Sequence, residues 1–264
     1  MQKEDMDYIM VLINELKSRV GVNAISRMRF TVRSSDPDIV EKMQKQTERL
    51  KYECPEQTSL INLAIVKGDL IMLQILLAAG AKVNASSAVI GSPLHVACSS
   101  ANIRNREHTI QILLENGADP NLKVYYDEDA TQLRLALAEY IANHRAPSVE
   151  IVKLLLRYGA KVVMKTRLRD PDGMLEHIYN VFSEESQHIF YLLLDAAESF
   201  DLYMFWSHAI TATQKEALIN RTKTPISLLA QSRVCLRRYF KNNLVDVVQK
   251  TELPKILKDY LLFK

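Results

Sequence analysis

Residues 92–121, SPLHVACSSANIRNREHTIQILLENGADPN, decide the fold. Ser92 is placed to cap a short helix, its hydroxyl accepting a free N–H of the first turn. Leu94, Val96 and Ala97 then give that helix an apolar face small enough for close packing. A second apolar run, Ile110, Ile112, Leu113 and Leu114, is long enough for a second helix. Gly117 ends it, in a left-handed conformation that costs a residue with a Cβ.

The same order of features recurs on both sides. Upstream, Thr58 opens a unit with Ala64, the apolar Leu73, Ile75, Leu76 and Leu77, and a Gly80-Ala81 close. Downstream, Thr131 opens one with Ala136, then Ile151, Leu154, Leu155 and Leu156, and Gly159-Ala160. From opener to glycine the three units span 22, 25 and 28 residues. The longer two therefore carry insertions between their helices, at Ala101–Arg106 and Ala142–Pro147. A helix pair of this size buries too little apolar surface alone, so successive pairs must stack. Residues 173–197 keep two apolar helical patterns but lose the opener and the closing glycine, as a worn terminal unit would. Ahead of the array, Tyr8–Val20 and Asp38–Leu50 are helical by pattern.

The openers, above all SPLHVA, and the closes GAKVN and GADPN resemble the ankyrin repeat. The resemblance implies an all-α solenoid, with His95 as a structural residue. It also implies a concave face, edged by fingers, that holds a partner protein. The finger Tyr125, Tyr126, Asp127, Glu128 is the candidate target contact, because paired tyrosines make good interface anchors.

Past residue 220 the chain changes character. Residues 221–264 hold ten Lys/Arg against three carboxylates, a local +7 in a chain of net +3. Thr224-Pro225 reads as a cap and first-turn proline, and a helix follows with Leu228, Ser232, Cys235, Leu236, Tyr239 and Phe240 on one face. Arg233, Arg237, Arg238 and Lys241 read as its wet face. Leu244, Val245, Val247 and Val248 make a short apolar stretch, and Leu253-Pro254 opens a last helix with Leu257, Tyr260, Leu261 and Leu262. About forty residues cannot bury a core alone and must dock on the repeats or on a partner.

This segment resembles a SOCS box, in the spacing Ser227-Leu228, Ser232, Leu236 and the rhythm Arg233, Leu236, Arg237, then Leu253-Pro254, Leu257 and Tyr260-Leu261-Leu262. Repeats followed by such a box are the architecture of the ankyrin-and-SOCS-box family. That resemblance implies elongin B/C docking through Leu228, Ser232, Leu236 and Phe240. It implies contact with a cullin, of the cullin five type, through Leu253, Pro254, Leu257 and Tyr260. Two positions depart from the family pattern. Ser232 stands where the family has Cys, which weakens docking by about 1 kcal/mol. Thr251-Glu252 stands where a first Leu-Pro would be.

The domain reading is therefore a helical N-terminal region over 1–57, repeats over 58–200, a linker helix over 201–223 and the box over 224–264. The function it implies is that of a substrate-recruiting ubiquitin-ligase adaptor, cytoplasmic or nuclear, with an unnamed target. Two rivals stand beside it. One is an ankyrin scaffold whose last helices only cap the stack, and the other an F-box-like tail that also begins with Leu-Pro. Catalysis has no motif here: P-loop, GxGxxG, HExxH and GxSxG are all missing from the sequence. Nor is a cofactor, metal or nucleic-acid partner expected. Cys54, Cys98 and Cys235 are scattered without CxxC spacing and read as reduced, buried thiols. His177 and His188 lack ligand spacing. The sequence has no run of the ~20 apolar residues that a membrane span needs.

Overall fold

The computed structural model describes residues 60–78, 80–86, 90–125, 133–174, 187–200, 211–224 and 227–264. The helices expected at Tyr8–Val20 and Asp38–Leu50, the openers Thr58 and Thr131, and the first half of the worn unit lie outside them. So do Cys54, His177, Tyr126, Asp127 and Glu128.

Helix pairs α1 (Leu60–Lys67) and α2 (Leu70–Ala78), α3 (Pro93–Ser99) and α4 (Arg106–Glu115), and α5 (Ala136–Asn143) and α6 (Val149–Arg157) follow one another, with α7 (Gln187–Ala196) after them. The inner helices α1, α3 and α5 stack in sequence. Ala64, Ala97 and Ala136, the small residues of each inner face, are at most 2% exposed, which lets the backbones approach. The core runs unbroken from Ile65 and Leu73 through Leu94, Ile110, Leu137 and Leu155 to Phe190.

Helices α2, α4 and α6 end in the same pair of hydrogen bonds. Gly80, Gly117 and Gly159 donate to Leu77, Leu114 and Leu156, and Ala81, Ala118 and Ala160 to Leu76, Leu113 and Leu155, all at 2.9–3.0 Å. The three glycines have φ of 91°, 85° and 87°, so the closing turn needs the residue type found there.

An asparagine four residues past the glycine stitches one unit to the next. Asn84 Nδ2 donates to Gly117 O at 3.0 Å and its Oδ1 accepts from Asp119 N at 2.8 Å. Asn121 repeats this with Gly159 O (2.9 Å) and Lys161 N (2.7 Å). In the third unit Val163 takes that position and has no such side chain. There the backbone makes the join as a parallel strand pair, β1 (Val163–Met164) on β2 (Ser199–Phe200).

Ser92 caps α3 as expected, and His95 answers it. His95 Nδ1 accepts from Ser92 N, lies 2.7 Å from Ser92 Oγ, and leaves Nε2–H to donate to Arg134 O at 3.1 Å. That reach displaces a predicted boundary. With Arg134 O held by His95, and Leu133 N bonded to Val124 O at 2.7 Å, residues 133–135 stay outside the helix and α5 begins only at Ala136. Both insertions are pinned. Arg106 donates to the carbonyls of Ser100 and Ala101, and Tyr140 Oη accepts from Ser148 N at 2.8 Å.

The C-terminal part adds α8 (Ala212–Lys223), α9 (Leu228–Phe240), a 3₁₀ turn at Lys241–Asn243, α10 (Leu244–Lys250) and α11 (Lys255–Leu261). Thr224 does not cap α9. It precedes a proline, which excludes it from helical backbone, and it closes α8 instead, its Oγ1 donating to Asn220 O at 2.6 Å. Ser227 is the cap of α9, accepting from Ala230 N at 3.2 Å. Leu244, Val245, Val248, Leu261 and Leu262 form a second core, and Tyr158 of the repeats packs on it as well as on the first.

Candidate docking site on the C-terminal helices

Helix α9 has two unlike faces. On one, Arg233 and Arg237, one turn apart, are each 2% exposed. They were expected in water with Arg238 and Lys241, and for these two that expectation fails. A guanidinium is buried only where acceptors and flat apolar surface await it; the repeats supply the acceptors, and Tyr260 and Phe263 at the end of the box supply the rings. Arg233 Nη2 donates to Asp195 O at 3.1 Å and to the Asp195 carboxylate, and its guanidinium carbon lies 4.2 Å from the Tyr260 ring centre and 4.4 Å from that of Phe263. Arg237 donates to Ala160 O and, at 3.3 Å, to Ala196 O. Burial pulls Arg237 down to about 10, against the nearby Glu198 and Asp195, so it stays charged at neutral pH. Arg238 keeps to the expected surface, 2.8 Å from Glu198 Oε2, and Lys241 is exposed.

The opposite face is bare. Leu228 is 80% exposed, Tyr239 81% and Leu229 47%, with Ser232 and Cys235 exposed between them. Leu228, Ser232, Cys235 and Tyr239 fall at helical spacing, so they form one stripe pointing away from the repeats. The expectation of a buried Cys235 fails for this reason, whereas Cys98 is wholly buried and its thiol pushed far up by desolvation. Of the four residues read as the elongin contact, Leu228 and Ser232 lie on the stripe. Leu236 and Phe240 sit beside it, half-buried against the second core.

The last helix is divided in the same way. Pro254 stands at its N-cap, and the Pro254 carbonyl accepts from Leu257 and Lys258. Leu253 and Pro254 are exposed and Leu257 is half-buried. Tyr260 turns inward against Arg233. Ile256, 82% exposed, joins Leu253 and Pro254 on the outside, and neither Ile256 nor Leu229 was read from the sequence as a contact. The only sequence signal for either was an apolar residue off the main stripe, which gains meaning once the buried side is known.

On the repeats, Tyr125 is half exposed at the start of its finger. The next finger is tied to that one through Asp172, whose buried carboxylate lies 2.7 Å from Lys161 Nζ and 3.3 Å from Lys123 Nζ. Burial opposes the Lys161 charge, but the Asp172 bond and charge outweigh it and raise the pKa. Among the described residues, no group of His, Cys, Asp and Glu is arranged to hold a metal ion, and no helix is long and apolar enough to cross a membrane.

Comparison with known sequences agrees with this architecture. The family model described as ankyrin repeats (3 copies) matches residues 28–124, and that for the SOCS box matches residues 224–262. The unit closed by Gly159 lies beyond the matched repeats yet has the same turn. The chain is 29% identical over 202 residues to ankyrin repeat and SOCS box protein 5 of Mus musculus, covering 76% of this chain and 47% of that protein. For the Homo sapiens protein of the same name the identity is 28% over 176 residues, 66% of this chain and 39% of the relative. The chain thus spans about half the length of the curated relatives it matches, or less. Repeats stitched by asparagines, with the matched SOCS box seated on their last turns, give this chain the ankyrin-repeat and SOCS-box architecture.

Proposed function

We propose that the chain is a substrate-recognition adaptor of a cullin-RING ubiquitin ligase, holding a target on its repeats and elongin B/C and a cullin on its box. The bare stripe on α9 carries this reading. A helix that buries two arginines on one face while leaving Leu228 and Tyr239 in water is built to be covered from outside. Covering each of those side chains gains roughly 1.5–3 kcal/mol. Leu228, Ser232, Leu236 and Phe240 make the elongin contact, joined by Leu229 and Tyr239. Leu253, Pro254 and Leu257, with Ile256, contact the cullin, of the cullin five type; Tyr260 supports them from within. The target sits against the fingers that begin at Tyr125. Tethering then raises the effective concentration of target lysines at the ubiquitin carrier, and the chain itself does no chemistry.

The test is co-expression of residues 1–264 with elongins B and C, beside the Leu228→Asp variant. Leu228 touches little of this chain, so its replacement leaves the fold intact, whereas Leu236→Asp would also disturb the second core. Capture by the wild type and loss in the variant supports the adaptor. Equal capture by both removes the stripe from the contact.

A second reading, that the C-terminal helices merely cap the solenoid, is favoured by one observation: Phe263 and both arginines are buried on the repeats as a cap would be. No elongin capture by the wild type would leave that reading standing.

A further inference from the structure

Among the described residues, two buried arginines of the box meet backbone carbonyls of the repeats. Asp195 and Ala196 end α7, where the last carbonyls of a helix have no partner of their own and carry the negative end of its dipole. Ala160 closes the turn after α6. Arg233 and Arg237 donate to these three carbonyls, so one helix of the box is bolted to the ends of two successive outer helices. Phe263 lies under both guanidinium groups, 4.4 and 5.2 Å from their carbons, and belongs to the core of the repeats. Arg157 Nε donates to Leu262 O at 3.2 Å, closing the contact from the repeat side. The fit is tight: a Cβ at Gly159 would lie 2.9 Å from the carbonyl oxygen of Lys241. None of these atoms lies on the outward stripe of α9.

We propose that Arg233 and Arg237 are positioning residues, which hold the box in one orientation on the repeats while its other face is occupied, so that a bound target is presented to the ligase in one geometry. This rests on the adaptor reading. A box joined by its chain connection alone would sweep a range of angles and spread the target over many positions. Two charged forks on three carbonyls, with an aromatic beneath, allow one.

The experiment measures a distance between spin labels at Gln111→Cys on α4 and Lys250→Cys on α10, with Cys54 and Cys235 replaced by serine, in the complex with elongins B and C. Both label positions are exposed. Arg233→Met/Arg237→Met keeps apolar bulk at each site and removes the bonds of these two side chains to Asp195, Ala196 and Ala160. The expected result is one narrow distance for the parent, loss of that narrow distance in the double variant, and unchanged helicity and elongin capture. A distribution as narrow in the variant as in the parent, or already broad in the parent, overturns the proposal. Should the double variant fold poorly, Arg237→Met alone is expected to broaden the distribution less, and no broadening in it counts against the clamp. If the chain with its native cysteines captures no elongin, the adaptor reading falls and the ligase half of this inference with it. The free chain's distance then decides the fixed orientation by itself.

Discussion

Asn121 reaches across a repeat boundary to Gly159, with Nδ2 2.9 Å from its carbonyl oxygen while Oδ1 takes the N–H of Lys161 at 2.7 Å. One side chain thus satisfies a donor and an acceptor of the next unit at the turn on which the box sits. Asn121→Ala leaves two part-buried backbone groups unpaired. It is expected to lower unfolding stability by about 1–3 kcal/mol. Asn84→Ala, at an exposed copy of the same joint, is expected to cost less. Urea midpoints of the two variants check the order.

The closing glycines separate strain from steric contact. Gly117 has φ 85° and no neighbour within 4 Å of a Cβ, so Gly117→Ala pays only the left-handed backbone, about 1–2 kcal/mol. Gly159 has nearly the same φ but would set its Cβ 2.9 Å from Lys241 O. Gly159→Ala is expected to lower the melting temperature further than Gly117→Ala. Equal shifts would mean that the box yields at that point.

His95 makes stability depend on pH. Burial holds its pKa below the ordinary 6.5, against a smaller opposing pull from Glu139 and the Arg134 carbonyl. In the fold Nδ1 accepts from Ser92 N and Nε2 donates to Arg134 O, so the ring is neutral there. The unfolded chain therefore takes up a proton first, and the contribution of His95 is full above about 6.5 and drains away as pH falls towards the folded pKa. Urea unfolding at falling pH from 7 should show declining stability, with a flatter dependence in His95→Gln. An unchanged slope would remove His95 as its source.

Ser232 places a hydroxyl in the middle of an otherwise apolar stripe. Under the adaptor reading Ser232→Cys removes that polar group from the contact and is expected to tighten elongin binding by about 1 kcal/mol, or several-fold in Kd. Titration calorimetry measures it, and unchanged binding by the cysteine variant would place position 232 outside the contact.

Cys235 and Cys98 differ in access. Iodoacetamide should modify Cys235 in the free chain and leave Cys98 untouched. Elongin B/C is expected to protect Cys235, since it lies on the stripe between Ser232 and Tyr239. Peptide mapping reads both sites, and modification of Cys235 at the same rate in the complex would put the partner elsewhere.

The amino-acid sequence by itself determined the periodic part of this protein. Helix pairs, their capping serine and closing glycines, the insertions and the proline start of the last helix all rest on interactions within a few residues, and local spacing records those. The asparagine joints were visible as residue types but not as contacts. Tertiary structure alone decided which charges leave water. Arg233, Arg237, Arg238 and Lys241 look alike along the chain, yet the acceptors that bury the first two lie 38 to 77 residues away. The same long-range packing decided that Leu228 and Tyr239 stay bare while Tyr260 turns inward, because a helix has an outside only once something has covered its other face.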